Sequence, residues 1–190
     1  HYNLGAVLER LGDESAAEQC YRRSIEVDGD GPTLFEANAA LGALLRRSGR
    51  LEEAADVYEA YLDEDPLSVE MLVEHGICLS DLDEFEEAID RFQTALSIDR
   101  THGSGWYNLA ITQYRMGQPE EAFASMRNAH ESDPNSPLTL AVFGAWTLAQ
   151  PDADLDKALG LLYGAIDRLA AIDSSHLSPS YASLVSEEVF

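Results

Sequence analysis

The sequence predicts an all-α fold, an α-solenoid of about five antiparallel helix–turn–helix units, and three observations carry that reading. Alanine, leucine and glutamate dominate the composition, which favours helix. Runs that alternate apolar and polar residues, as a half-buried strand requires, are absent from the sequence. The third observation is an internal period of 34 residues, which spaces Gly42, Gly76, Ala110 and Gly144. Ala54, Ala88 and Ala122 repeat at the same interval, as do Tyr58, Phe92 and Met126, while Pro66 and Pro134 lie two periods apart.

The best copy of the unit runs from Trp106 to Pro134 and reads as two short amphipathic helices joined by a tight turn. Taken in order, the units span about 1–31, 32–68, 69–102, 103–136 and 137–173, with a capping or truncated helix over 174–190. Where two helices of a unit cross, one needs almost no side chain, and Gly42 and Ala54 are placed at that crossing. Leu41, Leu45 and Tyr58 fill the space around it. Gly12, Gly49 and Gly117 end first helices, where a positive φ is cheap only for glycine. Glu52, Glu53, Glu86, Glu87, Glu120 and Glu121 crowd the first turn of second helices, complementing the positive end of the dipole.

Departures from the period mark junctions. Three extra residues fall in Gly29-Asp30-Gly31-Pro32-Thr33, with Pro32 suited to the first turn of the next helix. In the fifth unit Pro151 replaces the turn glycine, and two extra residues precede Leu155. The helix that follows, roughly 154–172, is longer than its counterparts. Ser178-Pro179 then restarts an amphipathic segment with Tyr181, Leu184, Val185 and Val189 on one face. Trp146 stands where the other units have a smaller side chain and is expected to pack against that segment.

These residues resemble the tetratricopeptide repeat, whose unit reads W-x2-L-G-x2-Y, a turn glycine, A-x3-F-x2-A and a closing proline. The fourth unit matches at Trp106, Leu109, Ala110, Gly117, Ala122, Met126, Ala129 and Pro134. The second matches at Leu41, Gly42, Leu45, Gly49, Ala54, Tyr58 and Pro66 but has Asn38 for the tryptophan and Tyr61 for the last small residue. Leu72, Gly76, Leu79, Ala88, Phe92 and Ala95 carry the third, in which His75 replaces a leucine. Leu4, Gly5, Leu8, Gly12, Ala17, Tyr21 and Ser24 carry the first. With a looser fifth unit the resemblance covers nearly the whole chain, and it implies a right-handed superhelical array.

Composition narrows the function. Thirty-five acidic residues against twelve basic ones leave a net charge of −23, which repels the phosphates of nucleic acid and of anionic membranes. The run from Leu138 to Ala149 is too short to span a bilayer and reads as a core helix. Cys20 and Cys78 sit on apolar helix faces, as reduced, buried thiols do. His1, His75, His102, His130 and His176 are scattered, and no phosphate loop, GxSxG or metal-spaced cysteine–histidine pattern is present. The sequence therefore points to no enzyme, no cofactor and no metal, and to a location in the cytoplasm.

The resemblance implies a concave groove along the first helices that binds extended peptides or helices. By register its lining would be Tyr2, Ala6, Ala39, Ala43, Val73, Ile77, Tyr107, Ile111, Ala141 and Ala145, small or apolar residues suited to an amphipathic segment. The bland alternative is that several of these merely pack between neighbouring helices. A second row at the last turn, Arg10, Arg46, Arg47 and Arg115 with Asp81 breaking it, reads either as a stripe for an acidic peptide or as ordinary cations at helix C-termini. The lysine/asparagine clamp by which some members hold a chaperone's C-terminal carboxylate is missing, because Tyr2, Ala6, Ala40, Glu36, Glu70 and Glu74 stand at those places.

The expected role is a non-enzymatic protein–protein scaffold with a protein or peptide partner. A recruiting segment of a larger enzyme or secretion assembly, and a module that self-associates through its ends, are the alternatives. One lysine against eleven arginines beside so many acids fits either a salt-adapted surface or a GC-rich genome. Salt adaptation predicts that the melting temperature rises as salt is added to molar concentration; a flat or falling curve excludes it.

Overall fold

The computed structural model describes residues 1–27, 31 and 33–176. Among them are ten α-helices and no strand: α1 Tyr2–Arg10, α2 Glu14–Val27, α3 Leu34–Arg47, α4 Leu51–Glu64, α5 Val69–Asp81, α6 Phe85–Ile98, α7 Gly103–Arg115, α8 Pro119–Ser132, α9 Pro137–Leu148 and α10 Leu155–His176. Each odd-numbered helix packs on the even one that follows, and each even helix packs on the next odd one. The result is a solenoid whose core is continuous along the stack. Tyr21, Leu41, Tyr58, Leu72, Phe92 and Leu109 belong to one buried cluster, and Met126, Leu140, Phe143 and Leu161 to a second. Trp106 packs against both.

The turn inside each of the first four pairs is closed the same way. The N–H groups of Asp13, Arg50, Glu84 and Gln118 donate to the carbonyls of Leu8, Leu45, Leu79 and Gln113 at 2.9–3.0 Å, which satisfies carbonyls that the helix end would orphan. That wrap needs a left-handed residue, supplied by Gly12, Gly49 and Gly117 at φ 83°, 76° and 83°. Asp83 holds the same place in the third pair at φ 64°, a conformation that aspartate tolerates better than most residues. Between pairs a further column appears. The carboxylates of Asp65, Asp99 and Asp133 each accept the N–H two residues on, a local turn that redirects the chain into the next first helix.

Within a pair, the glycine of the first helix lies against the side chain sixteen residues downstream. A Cβ built on Gly5 would come 2.6 Å from Tyr21 Cε1, one on Gly76 would come 2.8 Å from Phe92 Cε1, and one on Gly42 would strike the ring of Tyr58. The nearest neighbour of Gly42 is thus Tyr58, and Ala54, though fully buried, is not the residue that demands the glycine. Where the first helix carries Ala110, the residue sixteen on is the flexible Met126, and both are fully buried. In the fifth pair the inserted residues shift the partner of Gly144 to Leu161 and Leu162. Without a turn glycine there, Asp154 starts α10 by accepting the Lys157 N–H at 3.0 Å. That helix ends at His176, later than the sequence suggests.

Expectations for Pro32 and for the segment 178–190 fall outside the described residues; α3 begins at Leu34 with Thr33 before it. Cys78 is buried and Cys20 half-buried, both free. His130 is half-buried against the Phe143 ring, 5.6 Å between centroids. His75 is 4% exposed in the column that holds Leu41 and Leu109, and its Nδ1 finds no hydrogen-bond partner among the described residues. Burial, reinforced by the charge of Arg91, pushes its pKa from 6.5 down to about 4.

Two outcomes follow from this packing. Gly76→Ala should cost about 1–3 kcal/mol in chemical denaturation through overpacking, and adding Phe92→Met should restore most of it, because the pair then copies Ala110 and Met126; equal losses in the single and double variants exclude the contact as the cause. Between pH 6.5 and about 4 the unfolded chain takes up a proton that folded His75 refuses, so this residue subtracts stability as pH falls through that window. His75→Leu should therefore gain about 1 kcal/mol at neutral pH and more at pH 5; an unchanged difference between the two pH values argues against it.

Candidate functional site

The groove row is built by helix periodicity. Tyr2, Ala6 and Arg10 on α1, Ala39, Ala43 and Arg47 on α3, and Val73 and Ile77 on α5 stand four residues apart, so each set shares one helix face. Tyr107, Ile111 and Arg115 on α7, with Ala141 and Ala145 on α9, complete it. The five helices are the first members of their pairs, and the period places their sets at equivalent positions along the stack.

Exposure varies along the row. Tyr2, Ala6, Ala39, Ala43, Ile77, Tyr107, Ile111 and Ala141 are half-buried, and Ala145 is exposed. Val73 is only 3% exposed and belongs to the core, so it offers nothing to a ligand. Partial cover raises the Tyr107 hydroxyl pKa. Tyr2, Ala39 and Ile77 touch one buried cluster while Tyr107, Ile111 and Ala141 touch the other, so the row is at once a surface and the edge of the core.

The arginines at its far end are engaged. Arg47 on α3 pairs with Glu9 on α1, and Arg46 lies 3.6 Å from Glu74 on α5. Arg115 on α7 donates to the Ser80 carbonyl and to Asp83, both at 2.7 Å, and its guanidinium sits 5.0 Å over the Phe85 ring. Each link joins one first helix to the neighbouring pair. Glu9 also accepts the Tyr21 hydroxyl at 2.6 Å; burial alone would raise its pKa, but Tyr21 and Arg47 outweigh it and hold the carboxyl low. Of the row's arginines, only Arg10 makes no ion pair among the described residues. A stripe of free positive charge is therefore not what the fold presents.

Two features escaped the sequence. Trp146 stacks on Tyr114, centroids 4.9 Å apart and planes 24° from parallel, and Tyr114 is more than half exposed. Its expected packing against Tyr181 and Leu184 lies outside the described residues. Three clefts also open on the other side of the first helices, each between two successive second helices. They hold about 320 Å³ between α2 and α4, about 290 Å³ between α4 and α6, and about 670 Å³ between α6 and α8. Their floors use equivalent residues, Asn38 and Leu41, Leu72 and His75, Trp106 and Leu109, and no residue of the groove row lines any of them. The same period marks these columns, but a sequence does not show which columns leave space between helices.

No group of histidines, cysteines and carboxylates among the described residues could hold a metal, and none of the described helices is long and apolar enough to cross a membrane.

Two models of the tetratricopeptide repeat match residues 1–66 and 92–124, together just over half of the chain. The chain is 23% identical over 126 residues to BBSome complex member bbs-4 of Caenorhabditis elegans, a match that covers 66% of this chain and 27% of that protein. It is 27% identical over 153 residues to human protein O-mannosyl-transferase TMTC3, covering 74% of this chain and 17% of that protein. The chain thus spans about a quarter or less of the length of these relatives. Among solved structures, YrrB, described as a TPR protein with an unusual peptide-binding site, superposes with a TM-score of 0.61 at 20% identity, covering 93% of this chain and 90% of that one. Family models, helix pairing and the 34-residue period meet in the same residues, and the chain belongs to the tetratricopeptide repeat family.

Proposed function

We propose that this chain is a non-enzymatic interaction scaffold that seats a peptide or helix of a protein partner along the concave groove of its first helices. The observation that carries this is the half-buried row of small and apolar side chains that recurs on successive first helices, Ala39 and Ala43, Ile77, Tyr107 and Ile111. A surface already joined to the core is rigid, so an apolar segment laid on it loses little to reordering of the scaffold. The peptide-binding site described for YrrB supports the same use of the fold.

A second reading is a recruiting segment within a larger enzyme. It is favoured by the match to TMTC3, a named transferase of which the matched region is 17%. A catalytic or membrane-anchoring segment elsewhere in the same gene would support it, and the groove would then select what the enzyme meets.

Tyr107→Ala combined with Ile77→Glu should abolish capture of the partner set from host extract while circular dichroism shows unchanged helix. Because Ile77 also touches the core, Ala145→Arg serves as a second variant that blocks the groove from an exposed position. An unchanged partner set in both variants refutes groove binding.

A further inference from the structure

The groove reading leaves the chemistry of the occupant open, and the distribution of charge along the first helices decides it. Arg46, Arg47 and Arg115 are matched by acids of neighbouring pairs, as described above. Glu9 and Glu74 answer two of them, but two other acids beside the row are not matched in return. Glu36 and Glu70 each stand one turn before a residue of the row, Ala39 and Val73; both are exposed and neither makes an ion pair among the described residues. With Asp65 they converge on Tyr61, whose pKa rises first through burial and then through the charges of Asp65, Glu36 and Glu70. Phe35 meets Tyr61 edge-on at 6.0 Å, so apolar rings lie beside these carboxylates.

Farther along, the Tyr114–Trp146 stack leaves one exposed aromatic residue at the groove's other end. An open aromatic face attracts a cation and does nothing for an anion. The whole chain, at −23, adds a long-range field of the same sign. An acidic segment would meet unpaired carboxylates and no free guanidinium but Arg10.

We propose that the groove's occupant is a basic amphipathic segment, its apolar face on Ile77, Tyr107 and Ile111 and its lysines or arginines facing Glu36, Glu70 and the Tyr114–Trp146 stack. This rests on the groove reading and gives it a partner class. Complementary charge speeds encounter and fixes register, while the apolar row supplies the contact.

The test titrates the full 190-residue chain with three fluorescent peptides of about 18 residues, each followed by anisotropy at about 0.1 M and about 0.5 M salt. One has an apolar face flanked by lysine and arginine, one carries glutamate at those places, and one scrambles the basic peptide at constant composition. The basic amphipathic peptide should bind roughly tenfold or more tighter than either control at the lower salt and lose part of that advantage at the higher. Glu36→Gln with Glu70→Gln should weaken it severalfold and leave the other two peptides unchanged; neither side chain is buried, so folding is not at stake. Equal binding of the scrambled peptide reduces the effect to attraction by a polyanion and overturns the proposal, as does failure of all three to bind. Preference for the acidic peptide, blocked by Ala145→Arg, overturns it while leaving the groove reading standing. Tight binding of the basic peptide that ignores Ala145→Arg removes the groove reading instead.

Discussion

Each pair of helices in this chain closes on one contact, a residue with little or no side chain on the first helix against the residue sixteen positions on. A side chain at Gly5, Gly42 or Gly76 would push the helices apart, and every other contact of the pair is set by how closely they come. The pairing is mutual, because a rigid ring opposes glycine while the adaptable Met126 stands sixteen residues from Ala110. The glycine lies inside a helix, where it costs roughly 1 kcal/mol relative to alanine, so the close packing must outweigh that loss in each unit. Repetition then does the rest. Each second helix leaves an apolar face for the next first helix, and the core extends along the stack mainly through contacts between successive helices.

Charge is used between the units more than within them. Arg47 with Glu9, Arg46 with Glu74 and Arg115 with Asp83 tie successive pairs on one side, while Arg50 with Glu18 and Arg22 with Glu53 tie α2 to the start of α4 on the other. Each such surface link contributes little by itself, within about 1 kcal/mol. Their larger effect is on what remains free. Six of the twelve basic residues are spent in this way or on their own helix, so the exposed charge that remains is mostly acidic, with Arg10, Arg100 and Arg127 among the exceptions.

Much of this was legible in the sequence, and the reasons are local. A positive φ at Gly49 or Gly117 is demanded by the turn itself, and an acid at Glu86 or Glu120 answers the end of its own helix. The period aligned these positions without any three-dimensional information. The aspartates at 65, 99 and 133 are equally periodic, but in an acid-rich chain only the geometry, each carboxylate accepting an N–H two residues on, marks them as turn formers. That Tyr107, Ile111 and Arg115 share one face of α7 was readable too, because it needs only four-residue spacing within a helix. How far each member of the groove row is covered was not. Ile77 and Val73 share a face and a chemistry, yet one is half-exposed and the other sealed, a difference made by the neighbouring helices.

The helices, their order, the 34-residue repeat and most helix ends, the C-terminus of α10 excepted, follow from local pattern, because they depend on residues within a few turns of one another. Packing between helices sets which side chain faces each glycine, which arginines are already taken, that Trp146 meets Tyr114, and where clefts open between second helices. All of these turn on the distance between neighbouring helices and units, whose contacting residues lie beyond the reach of local pattern. That distance follows from the summed shapes of the side chains between them, which no single position in the chain records.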